Sequence, residues 1–166
     1  MDYKAGKPVV EKSLEHIQQA MDEIRNLTHE MVMPRFLECC LKDKLNKLVA
    51  NYNYAQTIQL EAAEWNDEMI PLAIKETFFR VAQEQLSNIQ KHACADRITI
   101  QVKNDTGTAV MTIEDNGIGF DPAQKRNGIG ISNIHKRVEL YNGTSRFISA
   151  PAKGCTLSVS IPLRKI

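Results

Sequence analysis

No run of apolar residues in the 166-residue chain approaches the roughly 20 needed to cross a bilayer as a helix, so no membrane-spanning segment is expected. No basic leader with an apolar core opens the chain, so no secretory signal is read either. An excess of one charge is also missing. Lys and Arg number 21 against 20 Asp and Glu, a net of +1. That balance argues against bulk binding of nucleic acid or an acidic membrane. The four cysteines, Cys39, Cys40, Cys94 and Cys155, make no C-x-x-C pair. A zinc site is therefore not expected, and a reduced, cytoplasmic compartment is the simplest setting. A larger parent protein would still be free to carry a membrane anchor. Most of the cysteines are expected to be small core residues. Internal repeats and low-complexity tracts are absent. What is present is ordinary: 43% hydrophobic and 25% charged residues, which suit one globular domain plus an extra element.

Hydrophobic spacing divides the chain. Val10, Leu14, Ile17, Met21, Ile24, Thr28 and Met31 alternate steps of four and three, so residues 9–33 read as one long helix with a heptad seam. Pro34 breaks it. This places a boundary between residues 1–34, a bundle-type helix, and residues 35–166. A helix is expected over 35–51, a strand over 57–62 and a helix over 67–93. That last helix carries Ile74, Phe78, Val81, Ala82, Gln85 and Ile89 on one side. Strands follow at 98–102 and 109–114. A Gly-rich stretch runs from Asp115 to Gly130. Ser132 then caps a helix closed by Asn142-Gly143, and strands at 145–149 and 155–161 end the pattern. Strands in runs with helices to one side predict an α+β sandwich of two layers.

Three features carry chemistry. Glu84, Asn88 and Lys91, spaced by four and three, share one helix face beside the apolar stripe. An amide oxygen suits Mg²⁺, which keeps waters and substrate phosphates as its other ligands. Lys91 is a phosphate partner. Alone, this is also what an ordinary solvated helix face looks like. Asp115-Asn116-Gly117-Ile118-Gly119-Phe120 follows a strand directly. Its glycines permit close approach to a ligand, and its carboxylate can accept a hydrogen bond from an exocyclic amine. Alone, it is also a strand-ending turn. Asn127-Gly128-Ile129-Gly130-Ile131-Ser132 opens a helix, where free N–H groups favour an anion. Alone, it is also a surface loop. Neither glycine stretch is a Walker loop, and no strand precedes Gly128 as a dinucleotide fingerprint requires.

Taken in order, the three resemble the histidine-kinase branch of the GHKL ATPase superfamily. Glu84 to Ala93 resembles its N box, Asp115 to Phe120 its first glycine box, and Gly128 to Ile134 with Arg137-Val138 its second. Pro151 to Cys155 and Ile161-Pro162-Leu163 resemble its closing hairpin. The likeness covers about residues 70–163 and is nearest to kinases that signal to helix-turn-helix response regulators. It implies a Bergerat ATP-binding fold preceded by a bundle helix, with ATP and Mg²⁺ as cofactors. By position, Asn88 would bind Mg²⁺, Asp115 would accept the adenine amine, Lys91 would reach phosphate and His92 would lie near the nucleotide. Gly117, Gly119, Gly128 and Gly130 would shape the pocket and lid, and Glu84 would act in catalysis. Two positions depart: Ala152 and Cys155 stand where the family's hairpin has glycine and threonine. That threonine supports the aspartate, so the polar support behind Asp115 is a point for the structure to decide.

The family phosphorylates a histidine on the first helix of a hairpin. His29 and His16 lie on the seam helix, with no room for a returning helix before the N box, so neither is expected to be the acceptor. The seam helix resembles the second helix of such a hairpin. The expectation is therefore a catalytic half whose first helix lies in a longer parent, unable to autophosphorylate alone. A homodimer through residues 9–33 and a response regulator would be its partners. Two alternatives stay open at this point: a nucleotide-binding or dimerisation module without transfer, and a serine kinase of the anti-sigma type.

Overall fold

The computed structural model describes residues 40–52, 57–121 and 129–163. The seam helix over 9–33, the boundary at Pro34, the start of the expected 35–51 helix and Gly128 lie outside the described residues. Those described form α1 (Leu41–Ala50), β1 (Thr57–Glu61), a 3₁₀ turn (Asp67–Met69), α2 (Leu72–His92), β2 (Arg97–Asn104), β3 (Thr108–Asp115), α3 (Ile129–Glu139), β4 (Thr144–Ser149) and β5 (Cys155–Pro162). The strands make one sheet in the order β1-β2-β3-β5-β4. β1 and β2 run parallel, which demands a crossover, and α2 supplies it. All other pairings are antiparallel.

Strand periodicity sorts the sheet into two faces. Registered rows run across the buried face. Leu60, Ile100, Ile113, Leu157 and Phe147 make one row, and Val102, Met111, Val159 and Ser145 make the next. Ile98, Ile100, Met111, Ile113, Leu157 and Ile161 are fully buried, whereas Thr112, Glu114, Ser158 and Arg146 occupy the other face. Apolar rows on one side only require one covering layer of helices, and the chain is the expected two-layer α+β sandwich.

Helix α2 covers the sheet with the stripe read from its spacing. Ile74, Phe78, Val81, Ala82, Gln85 and Ile89 are all buried, and Trp65 packs on Phe78 with ring centroids 5.8 Å apart. Each large apolar side chain buried there contributes about 1.5–3 kcal/mol. The helix does not begin at residue 67 as the spacing predicts. Pro71 disfavours helical backbone at the residue before it, and Ile70 is extended (φ −105°, ψ 122°), so a 3₁₀ turn and α2 are separated there. Asp67 ties the join together. Its Oδ1 accepts from the first N–H of α1, at Leu41 (2.8 Å), and from Trp65 Nε1 (3.1 Å), and its Oδ2 pairs with Lys75. This carboxylate stands in for the side-chain cap that Cys40 does not provide.

Two further expectations need correction. Ser132 does not cap α3, because the helix already includes Ile129 and Ser132 falls in its first turn. At the other end the helix closes through Asn142, in the left-handed region at φ 54°, followed by Gly143, whose N–H donates to Val138 O. Nor are most described cysteines core residues: Cys155 is buried, Cys40 is intermediate and Cys94 is exposed. Cys94 follows the last turn of α2 with φ 50°, the left-handed position that ends a helix.

Candidate nucleotide site

The site lies where α2 ends. Ile118 N–H donates to Ala93 O (2.8 Å), which docks the Asp115–Phe120 loop on the last turn of the helix. Gly117 is obligatory there, because a Cβ would overlap the Ala93 carbonyl. Asn116 fastens the same loop to β2: its Oδ1 accepts from Asp96 N–H (3.2 Å) and Arg97 N–H (3.0 Å), and its Nδ2 donates to Asp96 Oδ1 (2.6 Å). Gly119 turns the chain with φ 59°, against the carbonyl of Ala150.

The last buried row of the sheet differs from its neighbours. Ile58 and Ile98 begin it, but Asp115, Cys155 and Ser149 finish it. Asp115 is 3% exposed, and its Oδ1 accepts from Gly117 N–H (2.9 Å). Burial pushes the Asp115 carboxyl above its ordinary value. The N–H groups of Gly117 and Cys155 work against that shift, and Glu114 adds to it. Burial and the charge of Asp115 push the Cys155 thiol up to about 11, with Ser149 opposing, so the thiol stays protonated at neutral pH. The donor facing Asp115 from this position is a backbone N–H, which a change of side chain does not remove. A hydroxyl is still present one strand over: Ser149 Oγ accepts from Phe120 N–H (2.9 Å) and donates to Gly154 O (2.7 Å), binding the closing hairpin to the first glycine box.

Between α2, this row and α3 lies a cavity of about 400 Å³. Helix α2 contributes Gln85, Asn88, Ile89 and His92. Asp115, Cys155 and Phe147 come from the sheet, Gly119 and Phe120 from the loop, and Gly130 and Ile131 from α3. Of the residues singled out in the sequence, Asn88, His92, Asp115, Gly119 and Gly130 meet on its wall. Glu84 does not line it but stands beside it. A Cβ on Gly130 would overlap Glu84 Oε1 and reach 3.1 Å from Asn88 Oδ1, so both oxygens face the start of α3. The Tyr52 phenol is pushed up by burial and by the charge of Glu84, which brings the end of α1 to the same side of α2. Lys91 is exposed and off the wall, and Gly117 acts behind the wall through its contact with Ala93. Sequence reasoning missed Gln85, Phe147 and Cys155 as wall residues. Phe147 packs on Phe120 (6.5 Å between centroids) and edge-on to His135 (5.7 Å), whose Nδ1 lies 2.6 Å from Ser145 Oγ. The inward parity of strand 145–149 was the available signal, but the register joining it to Asp115 was not.

Residues 73–165 match the model of the family described as histidine kinase-, DNA gyrase B- and HSP90-like ATPases. The chain belongs to this ATPase family. It is similar to the sensor histidine kinase MctS of Rhizobium johnstonii, at 30% identity over 161 residues, covering 92% of this chain and 34% of that protein. It is also similar to the signal transduction histidine-protein kinase/phosphatase DegS of Brevibacillus brevis, at 26% over 149 residues, covering 89% and 39%. The chain thus spans about a third of the length of these curated relatives. Among solved structures, the histidine kinase domain of the Erythrobacter litoralis EL346 blue-light activated histidine kinase superposes with a TM-score of 0.60 at 20% identity, covering 75% of this chain and 61% of that one. Acinetobacter baumannii AdeS does so with a TM-score of 0.63 at 12% identity, covering 99% and 87%. At those identities the likeness is one of fold. The ATPase domain accordingly has the histidine-kinase catalytic architecture, and no described helix is long and apolar enough to cross a membrane.

Proposed function

We propose that this ATPase domain is the catalytic half of a two-component sensor histidine kinase. It binds Mg-ATP in the cavity beside Asp115 and transfers the γ-phosphate to a histidine of the parent protein, for relay to a response regulator. The observation that carries the reading is the buried carboxylate of Asp115 on the wall of a cavity otherwise lined largely by apolar groups and glycine. A planar base with an exocyclic amine fits such an acceptor, and a charge-assisted hydrogen bond there outweighs the neutral kind. Asn88 would hold the metal. Its oxygen, beside that of Glu84, is the hard donor set Mg²⁺ takes. Among the described residues no group of three or more His, Cys, Asp or Glu could hold a metal ion, so phosphate oxygens and water would complete the shell. Mg²⁺ would supply charge neutralisation at the phosphates. Glu84, off the wall at the Asn88 side, would orient the acceptor or take its proton. Lys91 and His92, both exposed at the C-terminal end of α2, would meet the phosphates and ribose at the cavity mouth. Gly117, Gly119, Gly128 and Gly130 would form the floor and lid.

The seam of residues 9–33 would pair two copies in the cytoplasm, and the acceptor histidine would lie in the parent rather than at His29. Calorimetric titration with Mg-ATP tests the central reading, and an acceptor helix of the parent supplied in trans tests transfer. Saturable binding and acid-labile label on the acceptor are expected. No affinity at millimolar nucleotide would sink the reading. Sedimentation of Ile17→Glu with Ile24→Glu tests the seam, with a monomer that still binds ATP expected.

A further inference from the structure

Gln85 sits on the apolar stripe of α2 and yet carries an amide. It is 4% exposed, it lines the cavity, and its Oε1 has no hydrogen-bond partner among the described residues. Burying an acceptor unpaired is costly, and a side chain of Met or Leu shape would fill the same place without that cost. We propose that Gln85 is a base-recognition residue: its Oε1 accepts the second N–H of the adenine exocyclic amine, whose first N–H goes to Asp115. This rests on the reading that the cavity holds adenine at Asp115.

Three observations lead there. An exocyclic amine has two N–H groups, and two of the most buried residues of the cavity wall, Asp115 and Gln85, carry side-chain acceptors. Depth separates base from sugar. Gln85, Ile89 and Asp115 are 4%, 2% and 3% exposed, whereas His92 is exposed and Gly119, Phe120 and Ile131 are half-exposed. An apolar planar base belongs with the first group, and a hydrated ribose and triphosphate with the second. Finally, an ionised Asp115 can only accept, so it selects against a 6-oxo purine, which would turn its own acceptor toward the carboxylate; the Gln85 amide can accept from a 6-amino group. An amide side chain is also the usual partner of the adenine edge.

The test titrates Mg-ATP and the Mg complex of purine riboside triphosphate, which lacks the amine, into the wild type, Gln85→Met and Asp115→Asn. Gln85→Met is expected to weaken ATP by about three- to tenfold, the worth of one neutral hydrogen bond, and to leave purine riboside triphosphate unchanged. No loss for ATP, or an equal loss for both ligands, overturns the assignment and leaves Gln85 a packing residue. If the loss instead disappears with 2′-deoxy-ATP, the amide faces the ribose and the proposal is also overturned. The outcomes separate from the underlying reading. If Asp115→Asn weakens ATP while Gln85→Met does not, only Gln85 is wrong. If Asp115→Asn has no effect, the base lies elsewhere and both fail. Should Gln85→Met not fold, Gln85→Leu is titrated with the same two ligands: a loss of about three- to tenfold for ATP alone supports Gln85, and no loss, or an equal loss for both, overturns it.

Discussion

Asp67 and Asp115 stand near opposite ends of α2, both drawn partly out of water, and their surroundings treat them in opposite ways. Asp67 is surrounded by donors: the Leu41 N–H, the Trp65 indole and the Lys75 ammonium. Burial alone would raise its pKa, but the Lys75, Leu41 and Trp65 hydrogen bonds and the Lys75 charge together hold it below the ordinary carboxylate value. Among the described residues Asp115 has backbone donors at Gly117 and Cys155 and no cation acting on it, and burial leaves its carboxyl raised. The first carboxylate is satisfied within the fold and joins α1 to the base of α2. The second is held ready beside a cavity at a cost to the fold. Left-handed backbone is distributed likewise. Cys94, Gly119, Ala152 and Gly154, four of the five left-handed residues described, gather around the Asp115 end.

The largest expected effect is on binding. Asp115→Asn keeps the shape but removes the charge, and a charge-assisted hydrogen bond is worth about 1.5–3 kcal/mol, so ATP affinity should fall about tenfold to 150-fold. Calorimetry measures it, and the ligand-free variant should unfold no more easily than the wild type. If stability falls along with affinity, Asp115 is structural in the manner of Asp67 and the contrast collapses. Asp67→Ala should show the converse. It leaves the Leu41 N–H and Lys75 without their partner, costing about 1–3 kcal/mol in urea unfolding. Once allowance is made for unfolded protein, ATP affinity should be unchanged.

The two groups should also give opposite pH dependences. A folded pKa below the unfolded value, as for Asp67, adds stability that is present above about pH 4 and is lost as pH falls through the folded value. A raised folded pKa, as for Asp115, adds stability that is present below about pH 4 and is lost as pH rises through the folded value. Against the wild type, Asp67→Asn should therefore flatten the acid limb of unfolding free energy. Asp115→Asn should gain stability between about pH 4 and 7. The same sign for both variants would break the comparison.

The smallest effect concerns strain. Ala152 is at φ 60°, and its N–H donates to Ile118 O (2.7 Å). Ala152→Gly should relieve about 1 kcal/mol, read as a higher urea midpoint, with the turn unchanged. A lower midpoint would mean that the turn is held without strain.

Much of this was legible beforehand because it is local or periodic. Alternation placed the strands to within a residue or two, and the four-and-three spacing of α2 marked its buried stripe. The first glycine box stood out because two glycines at alternate positions follow a strand directly, and Gly117 and Gly119 do meet demands that other residues do not. The errors arose where a short-range rule met a stronger one: Pro71 divided an otherwise continuous helical pattern, and α3 was already formed ahead of its apparent cap at Ser132.

By itself, then, the sequence determined the elements, the inward face of each strand, the shared face of Glu84, Asn88 and Lys91, and the ATPase-like order of the boxes. The first three follow from backbone geometry within a few residues, and the last from the resemblance to a known family. Only the tertiary structure decided that Gln85, on the apolar stripe, would share a cavity wall with Asp115, and that Phe147 and Cys155 would join them. It also decided that a backbone N–H would support the aspartate where a threonine was missing. Those outcomes depend on the β3–β5–β4 register and on the way α2 lies across the sheet. Register is set by packing between residues tens of positions apart, and no short window of sequence records it.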